Sequence, residues 1–269
     1  MDVLLPGLYA ELAATPGHGA TNAGVIVDDD GLTVVDTLMV ASQWEPFAAA
    51  VSALGRPVPR VVLTSSNIEF AGGTAAFRLA AVYARPQASA HLDQPVDPEL
   101  FRRLHPAYAT ELSDELVTRP VSHVVDGPVQ LTPAVTLVPC SGQQEENLIA
   151  VVGGAGVVFA GAMASFGVTP NAAQGDPGRW ADELDRVLDL GPIVVPGHGP
   201  VGGEEEVRAL QAYLRAVVAC EGDVGSLADG PWTGWIGREW DVVNVERAAL
   251  LAAGDDRPPP TLLTRLGLT

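Results

Sequence analysis

Val61-Val62-Leu63-Thr64-Ser65-Ser66-Asn67-Ile68-Glu69-Phe70-Ala71-Gly72-Gly73 sets the frame of this chain. An apolar run suited to a buried strand enters a short polar turn, and a Gly-Gly pair then opens a helix. On its N-terminal side, Ala23 to Asp28 and Leu32 to Asp36 are β-rich runs joined by Asp29-Asp30-Gly31, a hairpin signal because Asp and Gly tolerate a tight turn. Ser42-Gln43-Trp44-Glu45 reads as a capping box, the Ser hydroxyl and Glu carboxylate satisfying free amides of a helix that stops near Gly55. Arg60 to Thr64 is the buried strand, Gly73 to Leu79 begins a helix, and Ala81 to Ala84 is another strand.

Pro98 to Leu116 reads as helical, with Pro106 kinking or splitting it. The second half repeats the style. Strands are expected near Val121 to Val125, Val135 to Val138, Leu148 to Val152 and Val157 to Ala160, then a helix over Arg179 to Leu190 and a last strand over Ile193 to Val195. That strand runs into Pro196-Gly197-His198-Gly199-Pro200. Glu204 to Cys220 is amphipathic, with Val207, Leu210, Leu214 and Val217 on one face.

The signposts, taken in order, resemble the metallo-β-lactamase superfamily. Asn22 to Val27 with Val34-Val35-Asp36-Thr37 is similar to the family's opening hairpin, and Thr64 to Gly73 to its first ligand loop. Pro139 to Leu148 stands where the family has its second ligand segment, Phe159-Ala160-Gly161-Ala162 where it has a metal-bridging aspartate, and Pro196 to Pro200 where it has its last ligand histidine. The resemblance implies an α/β fold, a four-layer αββα sandwich, with residues 1–202 as the main domain and 203–269 as a C-terminal helical extension packed on it. It also implies that Asp36 braces the ligand loop.

The same resemblance makes this a degenerate member lacking most metal ligands. The family's His-x-His-x-Asp-His positions here read Ser65, Asn67, Glu69 and Phe70, the segment histidine reads Gln143, and the bridging aspartate reads Ala162. Zinc needs three or four converging N, S or O donors at about 2 Å. Phe70 and Ala162 donate nothing, Ser65, Asn67 and Gln143 offer neutral oxygens, and Glu69 and His198 alone remain competent. No metal and no other cofactor is expected.

Without cations, Glu69 beside Phe70 is expected to have a raised pKa and to serve with His198 as a catalytic acid–base pair. Ser65, Ser66, Asn67, Phe70 and Gln143 would line the same floor, with His18 on an overhanging loop and Tyr108 on a middle helix as further substrate contacts. Each also has a plain structural reading, as loop backbone partner or surface residue. Cys140 reads as packed, His91 and His105 as solvated surface, and His123 as a structural strand residue. Trp232, Trp235 and Trp240 either cap an apolar pocket or pack the extension.

The function expected is therefore a metal-independent lyase, isomerase or cyclase acting on a small, largely apolar metabolite, by analogy in secondary metabolism. A non-catalytic small-molecule binder or regulatory pseudoenzyme and a zinc-free hydrolase are the alternatives. Composition narrows the partners. Thirty-three acidic against 15 basic residues give a net charge of −18, which repels nucleic acid and anionic membrane surfaces. Every basic side chain is Arg, which excludes Schiff-base chemistry and a P-loop. Two distant cysteines, no basic leader and no apolar run near the roughly 20 residues of a membrane span point to a cytoplasmic protein.

Overall fold

The computed structural model describes residues 1–113 and 116–268. The N-terminal half holds β1 (Asp2–Leu5), β2 (Leu8–Glu11), β3 (Ala23–Asp28), β4 (Gly31–Val35), α1 (Ala41–Ala53), β5 (Arg60–Val62), α2 (Ile68–Ala71), β6 (Ala81–Ala84), α3 (Pro86–Leu92) and α4 (Pro98–Leu104). There follow β7 (His123–Val124), β8 (Val129–Gln130), β9 (Thr136–Cys140), β10 (Asn147–Val152), β11 (Val157–Ser165), α5 (Pro177–Leu190) and β12 (Ile193–His198). The chain closes with α6 (Glu204–Ala219), α7 (Asp241–Ala252) and α8 (Pro260–Arg265).

Among the described residues, β1 to β7 form one sheet in sequential order, antiparallel up to β4 and parallel from β4 onward. A second sheet runs β12-β11-β10-β9-β8, with β12 parallel to β11. Alternation along the strands shows how the layers stack, because successive side chains leave opposite faces. Val25, Val34 and Val61 face the cluster that includes Phe47 and Val51 of α1. Their neighbours Ile26, Val35 and Val62 face the other sheet, meeting Leu148, Ala150 and Phe159. Ile149, Val151 and Val158 point outward again onto Trp180 and Leu184 of α5 and Leu210 and Leu214 of α6. Three apolar layers between four structural ones make an αββα sandwich, with the C-terminal helices continuing the outer layer.

Several local expectations need correction. The cap of α1 is not Ser42: the helix starts at Ala41, and Gln43 Oε1 accepts the Met39 and Val40 amides at 3.1 and 3.2 Å. Ser42 instead bonds Glu111. The helix placed over Gly73 to Leu79 opens earlier, at Ile68, and tightens into a 3₁₀ turn over Gly72–Ala76. Backbone proximity explains this, since a Cβ on Gly73 would lie 2.2 Å from Thr37 O. Pro106 does end the middle helix, which stops at Leu104 and gives a short 3₁₀ turn; Asp114 and Glu115, within the expected span, lie outside the described residues. The strand expected over Val121 to Val125 contracts to His123–Val124 at the sheet edge, and β11 extends to Ser165. No helix among the described residues is long and apolar enough to cross a membrane.

Candidate active site

The strand ends β4, β5, β11 and β12 meet at one rim. Asp36, just beyond β4, accepts the Thr64 amide and hydroxyl at 2.8 and 2.7 Å, and Thr64 Oγ1 in turn accepts the Ala162 amide. Burial pushes the Asp36 carboxyl up to about 8, the Thr64 hydrogen bonds opposing it. Asn22 fixes the opposite side: its Nδ2 donates to Pro196 O and Gly199 O, and its amide to Gly197 O. The first set ties the start of the β5–α2 loop to β11, and the second ties the segment before β3 to the turn that carries His198.

Glu69 and His198 do converge. Both are buried, and Glu69 Oε2 lies 3.5 Å from His198 Nε2, an ion-pair distance without a directed hydrogen bond. The Gly19 amide donates to Glu69 Oε2 and Gln143 Nε2 to Oε1, both at 3.2 Å. The expected raised pKa of Glu69 is overturned. Burial alone would raise it, but the charge of His198 outweighs burial and holds the carboxyl well below its usual range. The sequence had already set His198 beside Glu69; the balance between its charge and full burial was not visible.

An amide network ties the rest of the floor. Ser65 Oγ donates to Gln144 Oε1 at 2.7 Å, Gln144 Nε2 reaches Asn67 Oδ1 and Gln174 Oε1, and Asn67 Nδ2 donates to Gln143 Oε1. Ser66 Oγ sits 3.1 Å from His91 Nδ1. Ser65 and Gln143 are buried beneath the floor, and Phe70 packs edge-on against His198 with ring centroids 5.8 Å apart. Tyr108 does not open onto the cavity. It packs into the small core of Met39, Ile68 and Leu112.

Above this floor is a cavity of about 390 Å³. Ser66, Asn67, Glu69 and His18 form its polar end, while Leu100, Phe101, Leu262 and Leu266 belong to its apolar walls. The volume lies in the range of small-molecule sites. His18, His105 and Trp240 also border it, His18 lying against Trp240 with centroids 4.8 Å apart. Burial lowers His18 to about 3, leaving its imidazole neutral, and also lowers His105. The solvated reading of His105 is therefore wrong: its Nδ1 is buried. The tryptophans separate, since Trp232 and Trp235 pack on Tyr213 and Trp240 alone of the three faces the cavity. Cys140 is packed, with its thiol pushed up by burial. His123 is exposed and stacks on Tyr83.

Sequence reasoning missed Gln144, Asn22, His105 and the wall residues. Two consecutive glutamines in a strand-ending loop were the available signal for Gln144; nothing local marked His105.

The chain belongs to the metallo-β-lactamase superfamily, whose family model matches residues 16–211. A metallo-β-lactamase family protein from Thermus thermophilus is similar in structure at TM-score 0.70 and 18% identity, covering 94% of this chain and 95% of that one. The mono-zinc form of the metallo-β-lactamase FIM-1 from Pseudomonas aeruginosa aligns at TM-score 0.62 and 17% identity, over 79% and 93%. A metallo-β-lactamase from Hirschia baltica aligns at 0.60 and 21%, over 79% and 95%. No curated protein matches by sequence. At these identities the structural likeness establishes the fold, and chemistry must come from the site.

The residues present do not fit the zinc centre that the family implies. Phe70 and Ala162 carry no donor atom, Ser65 Oγ is spent on Gln144, and one Glu69 oxygen is held by Gln143. Among the described residues no group of three His, Cys, Asp or Glu side chains is placed to hold a metal ion.

Proposed function

We propose that this chain is a metal-independent enzyme of lyase, isomerase or cyclase type, moving a proton on a small, largely apolar molecule. What supports the reading is one juxtaposition: the Glu69 carboxylate borders a cavity of about 390 Å³ whose walls include Leu100, Phe101, Leu262 and Leu266, with His198 Nε2 3.5 Å behind it. Held ionised, Glu69 is no proton donor at rest. It accepts a proton from one position of the bound molecule and returns it at another, restoring the carboxylate, while the charge of His198 holds the ionised form. The Gly19 and Gln143 donors fix the carboxylate orientation during this exchange.

Solvent-deuterium incorporation tests the step. EDTA-treated protein is incubated in heavy water with a panel of small apolar carbonyl compounds, and exchange at acidic carbon positions is read by mass spectrometry. Exchange is expected, with Glu69→Gln slowing it by about 10²–10⁴-fold. Exchange that requires added zinc, or that survives the substitution, overturns the reading. A non-catalytic small-molecule binder is the second reading. The lowered proton affinity of Glu69 favours it, because an anchored anion is a weak base.

A further inference from the structure

A second chamber adjoins the first. It measures about 440 Å³ and shares His18, Leu104, His105 and Trp240 with the inner cavity, so these four side chains stand between the two. The two ends differ in charge. The inner end carries the carboxylate of Glu69, with Asp97 also on the inner wall. The outer chamber carries Arg103 and Arg265, with the exposed Glu239 at its border. In a chain of net charge −18, two arginines facing one chamber run against the general field.

Both arginines are positioned. The Arg265 guanidinium lies 4.9 Å from the centre of the Trp240 ring and donates to Glu239 O, while Arg103 donates to Leu266 O and pairs with Glu99. Between the chambers, His18 Nε2 is buried and has no hydrogen-bond partner among the described residues. A neutral imidazole left unpaired there carries a desolvation cost that a ligand oxygen would relieve.

We propose that the outer chamber is a subsite for the carboxylate group of the substrate, which is an amphipathic monocarboxylic acid. Its oxygens are met by Arg103, Arg265 and His18 Nε2, and its apolar body extends between these shared side chains into the inner cavity. The charge pattern fixes the direction of entry, because Glu69 rejects the anionic end and leaves the apolar end for the inner cavity. This rests on the reading of the inner cavity as the substrate site.

Calorimetric titration of the purified protein with octanoate, octan-1-ol and octylamine tests the assignment. Octanoate is expected to bind about tenfold more tightly than the alcohol. Arg265→Gln and Arg103→Gln should each remove most of that preference and leave alcohol binding within about twofold, while Arg265→Lys retains part of it. Thermal melts confirm that the variants fold. Octylamine binding more tightly than octanoate, no octanoate binding, or equal losses for acid and alcohol in the arginine variants would overturn the subsite. The outcome is separable from the catalytic reading: Glu69→Gln should leave octanoate affinity intact or improved. Arginine-dependent binding alongside undiminished exchange in Glu69→Gln would remove the catalytic role and keep the subsite.

Discussion

The floor of the cavity and its roof are built by different rules. The floor is a set of strand ends from both sheets, cross-linked by short polar side chains: Asp36 on Thr64, Asn22 on the His198 turn, Gln144 on Ser65 and Asn67. The roof comes from α4, Trp240 and α8, which meet in a small apolar cluster with Val243, Leu262 and Leu266. Cross-linking by amides and hydroxyls keeps the floor frame of the superfamily closed with a donor set unsuited to zinc. The roof has no such frame. Its residues are held by apolar contact and by arginines capping carbonyls, so its shape depends on how distant segments pack.

If the floor is a cooperative polar network, Gln144→Ala should cost about 2–4 kcal/mol in urea unfolding, since it leaves several buried partners unpaired at once. A loss below about 0.5 kcal/mol would mean that each bond is replaceable and the contrast with the roof is only apparent.

Asp36 sharpens the comparison through pH. Its folded pKa of about 8 lies above the ordinary 3.8, so the folded state holds the proton more tightly. The associated stability is complete below about pH 4 and is lost as pH rises toward 8, by roughly 1.4 kcal/mol per unit. Asp36→Asn, which resembles the protonated carboxyl, should flatten the stability profile in this window. An unchanged slope would place the ionised form in the folded state.

The smallest effect belongs to the roof. Leu100→Ala, half-buried on α4, should lower stability by about 1 kcal/mol and weaken apolar ligands several-fold, while leaving the Asp36-linked pH slope as it is. A loss comparable to Gln144→Ala would join floor and roof into one unit.

Much of the frame was legible in the chain. The Asp29-Asp30-Gly31 turn between alternating runs gives the β3–β4 hairpin, and Pro106 ends α4. The turns after β4, β5, β9 and β12 meet the Gly161–Ala162 stretch of β11 at one rim because strand register is fixed by burial on both faces. Local errors arose where two residues competed for one role, as when Gln43 rather than Ser42 closed the start of α1. The state of Glu69 was misjudged for a different cause. His198 is far from it in the chain, and the balance between that charge and burial is set only by folding.

Residue types and their order were enough to specify the layers, the rim and the absence of donors at Phe70 and Ala162, because periodicity and elemental composition are local properties. The chambers, the ionised floor carboxylate and the arginines opposite it arose from packing of α4 and the C-terminal helices over that rim. Electrostatics and cavity shape are sums over neighbours in space, and neighbours far apart in the chain leave no mark on its sequence.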